Sequence, residues 1–256
     1  MARYWWSSSI DRKSLHWIDW PTLAKPKVAG GMGFRDLEVF NIALLGKHGW
    51  NLVANPESLC ARVLKGKYFP NNEFMDATIP KCALTTWRAI IAGRQALRAG
   101  LIKRIGDGTL VSVWNDSWVP GLISLRPTVH IGNTNINAVS ELLDVDRGMW
   151  NVEMVREHSI ASEADVILNI PLRIGGGLDS WAWNAEKSGV YSVKTAYRSL
   201  MTQNEHTALQ EGTVTESSEK QKQLWIRLWK LKVVPKVQVF WWRVLRGILP
   251  TEHSEA

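Results

Sequence analysis

Apolar residues recur at helical spacing through the first hundred residues, and then the period changes. Leu37, Phe40, Leu44 and Leu45 predict a helix over residues 36–53. Asn55-Pro56-Glu57 reads as the start of a second: Asn caps, Pro suits the first turn, and the carboxylate meets the helix dipole. Leu59, Val63, Leu64 and Tyr68 give that helix a buried stripe, and Pro70 ends it. A third helix is expected over 86–101, with Trp87, Ile90, Ile91, Leu97 and Leu101 on one face. Residues 104–114 then read as two short strands around the Asp107-Gly108 turn. Residues 120–180 read as loop-rich, with helical pieces near 138–143 and 151–157 and a hinge at Gly175-Gly176-Gly177. A second hairpin is expected from 179–184 and 189–193, followed by a short helix carrying Val193, Ala196, Tyr197, Leu200 and Met201. Residues 202–222 are polar and are expected as a mobile loop. The fold class that follows is mainly α with small antiparallel β-hairpins (α+β).

The final segment carries the clearest helical pattern. At about 100° per residue, Val237, Phe240, Trp241, Val244, Leu245 and Ile248 form one apolar face, which would be buried. Lys236, Trp242, Arg243 and Arg246 fall on the other face. Trp242 and Arg246 are four residues apart, so the guanidinium can lie over the indole; a Trp on the charged face either packs against another part of the chain or is a contact residue. Lys230, Lys232, Lys236, Trp242, Arg243 and Arg246 are therefore the candidate nucleic-acid-binding residues, with cations for phosphates and an indole for stacking.

Charge supports that choice. Net charge is +7, but residues 1–128 hold 17 Lys/Arg against 9 Asp/Glu, 129–222 hold 8 against 13, and 223–256 hold 6 against 2. Two basic ends around an acidic middle suit a polyanion at the ends. Of the 15 Trp residues, most are expected to fill core, each indole N–H finding a partner, and some to stack on bases or sugars. Cys60 and Cys82 frame neither a disulfide scaffold nor a zinc site. Gly30-Gly31-Met32-Gly33-Phe34 lacks the spacing of a phosphate loop and reads as a turn before a helix. Asp107 and Asp116 read as turn and loop aspartates rather than a catalytic pair. No apolar run of membrane-spanning length and no signal peptide is visible, so an intracellular protein is expected, nuclear or cytoplasmic, without membrane contact.

Ordered motifs along the chain carry a resemblance. Trp5-Trp6, Lys13-Ser14-Leu15-His16-Trp17 and Gly30-Gly31-Met32-Gly33-Phe34-Arg35-Asp36-Leu37 are similar to the segment after the polymerase core of plant non-LTR (LINE-type) retrotransposon reverse transcriptases. So are Leu64-Lys65-Gly66-Lys67-Tyr68-Phe69-Pro70, Ile105-Gly106-Asp107-Gly108 and Val113-Trp114-Asn115-Asp116-Ser117-Trp118-Val119-Pro120. Gly189-Val190-Tyr191-Ser192-Val193 and the run from Trp229-Lys230 to Pro250 resemble the reverse-transcriptase zinc-binding domain of that family. The resemblance implies a helical post-polymerase region over 1–120, a loop-rich connector over 121–178, and a truncated zinc-binding-like domain over 179–256.

The departures from the family matter as much. Polymerisation there needs an Asp-Asp pair to hold two metal ions, and the chain has none. The family's zinc ligands follow the last helix, where only His253 stands, with no cysteine after Cys82. The implied chain is a non-catalytic remnant with no catalytic residues, no metal site and no cofactor, retaining weak, salt-sensitive binding of RNA or DNA. The alternatives are a Trp-rich module for an unknown protein partner, a Trp-lined carbohydrate binder with only the Trp count behind it, and a reading frame without selected function.

Overall fold

The structure, a computed structural model, describes residues 17–129, 131, 136–144, 147–172, 177–210 and 219–249. In chain order the elements are α1 (Trp20–Ala24), α2 (Leu37–Ala54), α3 (Leu59–Tyr68), α4 (Thr85–Ala92), α5 (Arg94–Arg98), β1 (Leu101–Arg104), β2 (Leu143–Asp144) and β3 (Met149–Trp150). There follow α6 (Val152–His158), α7 (Ala161–Leu168), β4 (Ser180–Trp183), α8 (Val193–Gln210), α9 (Glu219–Lys230) and α10 (Pro235–Leu245). The fold is mainly α with small antiparallel sheets, as the sequence pattern predicts. Two compact units result: Asn41–Gln203, and a second drawn from residues up to Phe40 and from Asn204 onward.

In the unit Asn41–Gln203 the strands find partners far along the chain. β1 pairs antiparallel with β4, in the register Leu101↔Trp183, Ile102↔Ala182, Lys103↔Trp181, Arg104↔Ser180. Both expected hairpins are therefore corrected: residues 105–114 are loop with one isolated bridge, Ser112 to Ala138, and 179–193 hold the single strand β4. The reason lies in Asp179. Its carboxylate accepts from the backbone N–H of Gly106 (2.7 Å), Gly108 (3.0 Å) and Leu110 (3.0 Å), so the loop after β1 closes around this side chain. A Cβ on Gly106 would come within 2.2 Å of the Gly177 carbonyl oxygen, which explains the glycine. Lys103 straps the same loop by donating to the Leu110 carbonyl (3.0 Å) and to Asp116 (3.1 Å). The short hairpin present is β2–β3.

One core of this unit gathers Val111, Val113, Trp118 and Val119 with Val139, Leu142, Trp150, Val155 and Ile167. The stretch 121–178 thus supplies core as well as loop, and it holds α7, which the sequence pattern did not single out. A second packing centre surrounds Trp87, stacked on Tyr68 (4.5 Å between ring centres) and Phe69 (5.5 Å). Trp87, Ile90, Ile91, Leu97 and Leu101 are all buried as expected, but the expected single helix breaks at Gly93. There a Cβ would meet the Leu45 backbone at 2.5 Å, so two backbones touch where a continuous helix had been read. Leu101 lies past the break, in β1.

Three further expectations change. The cap of α3 is Ser58, whose hydroxyl accepts from the Ala61 N–H (3.3 Å), while Asn55 sits in the preceding turn. The proposed stripe of α3 faces water at Leu59 and Val63, and Ala61 is the buried position. The polar stretch 202–222 is helical where it is described, through Gln210 and again from Glu219. Those residues include no Gly or Pro, and a polar sequence of good helix formers does not preclude a helix. Residues 211–218 and the hinge glycines Gly175 and Gly176 lie outside the described residues.

Tyr191 ties the end of this unit to α2. Its buried hydroxyl donates to the Ala43 carbonyl at 2.7 Å, and its ring lies against Trp183 (4.8 Å) and Trp50 (6.3 Å). Burial pushes the phenol's pKa well above its ordinary value. The raised folded pKa means the unfolded chain loses this proton first. The contribution is therefore complete below pH about 10 and declines as pH climbs from there towards the folded pKa. Tyr191→Phe should lower unfolding stability by about 1 kcal/mol at neutral pH and remove part of the alkaline decline. Urea unfolding by Trp fluorescence at pH 7 and pH 11 checks both. A variant with the wild-type slope above pH 10 would contradict the assignment.

Candidate functional site

The other unit is built on one carbonyl. Residues 26–31 form a tight turn, with a 3₁₀ segment Lys27–Ala29 ending at Gly30, whose φ is +81°. The Gly30 oxygen accepts from the Trp242 indole N–H (2.9 Å) and from the Arg246 Nε (3.0 Å) and Nη2 (2.6 Å). The Arg246 guanidinium lies over the Trp225 ring, 5.2 Å from its centre, and burial lowers its pKa from the usual arginine value. The Lys27 ammonium sits over the Trp229 ring at 4.5 Å. Leu23, Met32, Trp225, Leu228, Trp242 and Ile248 fill the core beneath. The Gly30-Gly31 motif is a turn, as expected, and its carbonyl is its working part.

This anchorage decides which side of α10 is buried: Trp242 packs against another part of the chain, one of the two readings of it, and of the apolar face Ile248 joins the core. Trp242 is fully buried and Arg246 partly so, whereas Val237, Phe240, Trp241 and Leu245 remain 37–49% exposed. Apolar content alone favours burying the latter set. The observed arrangement satisfies three donors on one acceptor and buries one of the helix's two indoles, which offsets part of that loss. Arg246 stacks on Trp225 instead of on Trp242.

Of the six candidate nucleic-acid residues, Lys230, Lys232 and Lys236 are exposed, at the end of α9, in the link and in the first turn of α10. Arg243 is half-buried, and Trp242 and Arg246 spend their donors on Gly30. Three of the candidate cations are therefore at the surface, and Phe240 and Trp241, which are not among the six candidates, are exposed as well. Residues 219–249 contain eight Lys/Arg and one acidic residue, Glu219. Trp20, Trp114, Trp118, Trp150 and Trp183 each donate to an oxygen nearby, whereas the buried indole N–H groups of Trp87 and Trp229 have no hydrogen-bond partner among the described residues, against the expectation that each would find one.

No constellation for metal chemistry assembles among the described residues, where no three His, Cys, Asp or Glu stand together as a ligand set. Cys60 and Cys82 are both exposed and do not fit a zinc site, and His253 lies outside the described residues. Asp107 accepts from the Thr109 N–H (3.1 Å) and hydroxyl (2.9 Å), and those bonds lower its pKa. Asp116 holds Ser112 N–H (2.7 Å) and Lys103. Both are structural carboxylates. Among the described residues no helix is long and apolar enough to cross a membrane.

Over 128 residues the chain is 39% identical to the "Uncharacterized mitochondrial protein AtMg00310" of Arabidopsis thaliana, covering half of this chain and 83% of that protein. The chain belongs to the same family. It is also 29% identical, over 97% of its length, to the "Putative ribonuclease H protein At1g65750" of Arabidopsis thaliana, of which it spans 39%. Both relatives are plant proteins, in keeping with the plant retroelement resemblance. No protein-family model matches the chain, and no solved structure matches it.

At the centre of this site, Gly30 has no room for a side chain. An added Cβ would lie 2.7 Å from the Trp225 ring and 2.6 Å from Arg246, in a backbone conformation L-residues rarely adopt. Gly30→Ala should destabilise the unit by about 2–3 kcal/mol. The check is a urea transition followed by Trp fluorescence, and a midpoint equal to wild type would contradict this packing.

Proposed function

We propose that the chain is a non-catalytic segment of a plant LINE-type retrotransposon reverse transcriptase polyprotein, comprising the post-polymerase region and part of a zinc-binding-like domain. Residual activity is weak, salt-sensitive contact with RNA or DNA. The observation that carries this reading is the similarity along 97% of the chain to a longer plant protein named for ribonuclease H. Relatives in the resembling family carry such a domain further downstream. The absence of an Asp-Asp pair from the sequence supports the non-catalytic part.

In this reading Lys230, Lys232 and Lys236 meet phosphates, joined by Arg243, while Trp242 and Arg246 hold the helix that presents them. Each phosphate contact contributes about 0.7–0.9 to the slope of log affinity against log salt. Replacing the three lysines together by Ala should flatten that slope by roughly 2–3 for an oligonucleotide, measured by fluorescence anisotropy. Trp242 and Arg246 are left intact so that folding is not disturbed. An unchanged slope rejects these residues as the contact.

A specific observation favours a second reading, a protein-interaction module. The outward face of α10 is apolar, with four large side chains exposed to water. Exposed apolar patches of this kind mark interaction sites.

A further inference from the structure

We infer that the outward face of α10 is the docking site for an acidic amphipathic helix of a partner protein, an inference that rests on the protein-interaction reading. The face consists of Val233 and Val234 just ahead of the helix and Val237, Phe240, Trp241 and Leu245 on it, between 37% and 64% exposed. Together they leave on the order of 600 Å² of apolar surface in water, at the upper end for one patch on a monomer. The positions 237, 240, 241 and 245 fall on one side of the helix at the spacing by which helices dock along each other.

Chemistry selects the occupant. Four of the six side chains are aliphatic and have no ring to stack on a base, so apolar side chains of another protein cover them better than a nucleic acid does. Phe240 and Trp241 pack edge to face (5.9 Å between ring centres) and supply the aromatic anchors that concentrate binding energy. Lys232 and Lys236 are both exposed, one just ahead of the helix and one in its first turn, within a segment holding eight cations and one carboxylate. A second copy would set like charges against each other, whereas Glu or Asp along the flanks of a partner helix complements them. α10 has 11 residues, about 16 Å, so it matches three turns of such a helix.

The probe is a rhodamine-labelled 20-residue peptide of Ala, Leu and Glu, with Leu along one face and Glu on its flanks. Its counterpart carries Lys in place of every Glu. Anisotropy titration with the full chain should show the acidic peptide binding at least about tenfold more tightly than the basic one. The double substitution Phe240→Ser/Trp241→Ser should weaken it at least about tenfold, as should Val237→Asp, which adds a charge of the probe's own sign. Leu59→Ser, an exposed apolar change on α3, should leave binding unaltered. Circular dichroism confirms that each variant keeps its helices, and Val237→Asp carries the test if the double variant does not.

Equal affinity for the two peptides, or binding indifferent to these substitutions, overturns the inference. So does an oligonucleotide that needs Phe240 and Trp241 while the acidic peptide does not bind. Self-association through this face without peptide binding overturns the acidic-helix partner but keeps the interaction module. A monomer that binds neither peptide removes both.

Discussion

The Gly30 carbonyl decides which way α10 faces. Three donors from Trp242 and Arg246 converge on it, and the Trp225 ring and the guanidinium close over the turn. A carbonyl has two lone pairs, and a buried one left without partners costs about 1–3 kcal/mol. Turning the helix so that Phe240 and Trp241 went inward would take all three donors away from that oxygen. Hydrogen bonding therefore outweighs the apolar count, and an aromatic face is left on the surface with lysines beside it.

A comparable economy of long-range bonds holds the unit Asn41–Gln203. Asp179 gathers three N–H groups of the loop after β1, and the β1–β4 ladder sets Lys103 opposite Trp181, with the ammonium 5.2 Å from the ring centre. Tyr191 spans 148 residues of sequence to reach Ala43. These contacts explain why several of the motifs that carry the retroelement resemblance are also the motifs that do the folding. Gly106 gives room to a backbone, Asp116 holds a turn, and Tyr191 seats a helix. Resemblance in such motifs speaks for shared architecture, and chemistry has to be sought elsewhere.

Much of this was legible in the sequence where the signal is local. The helix over 36–53 and the buried set Trp87, Ile90, Ile91 and Leu97 follow from periodicity, and the indoles of Trp114, Trp118, Trp150 and Trp183 find the partners a core demands, while those of Trp87 and Trp229 do not. The strand pairings were not legible, because an Asp-Gly turn between short apolar runs signals a hairpin while the true partner lies about eighty residues away. The polar stretches at the end of α8 and the start of α9 were missed as helix because they hold almost no apolar residues from which a period could be read. At the candidate site, the exposed lysines could be read from charge clustering. The roles of Trp242 and Arg246 could not, since nothing in a helical wheel reveals a carbonyl 212 residues upstream.

The functional reading turns on that same orientation, because it puts Trp241 and Phe240 in water beside the lysines and removes Trp242 from any ligand. Hydroxyl-radical footprinting of the folded chain, resolved residue by residue by mass spectrometry, tests it most directly. The account predicts rapid oxidation of Trp241 and Phe240, with Trp242 protected until the chain is unfolded. Protection of Trp241 together with rapid oxidation of Trp242 would contradict it, and would return the apolar face of α10 to the core.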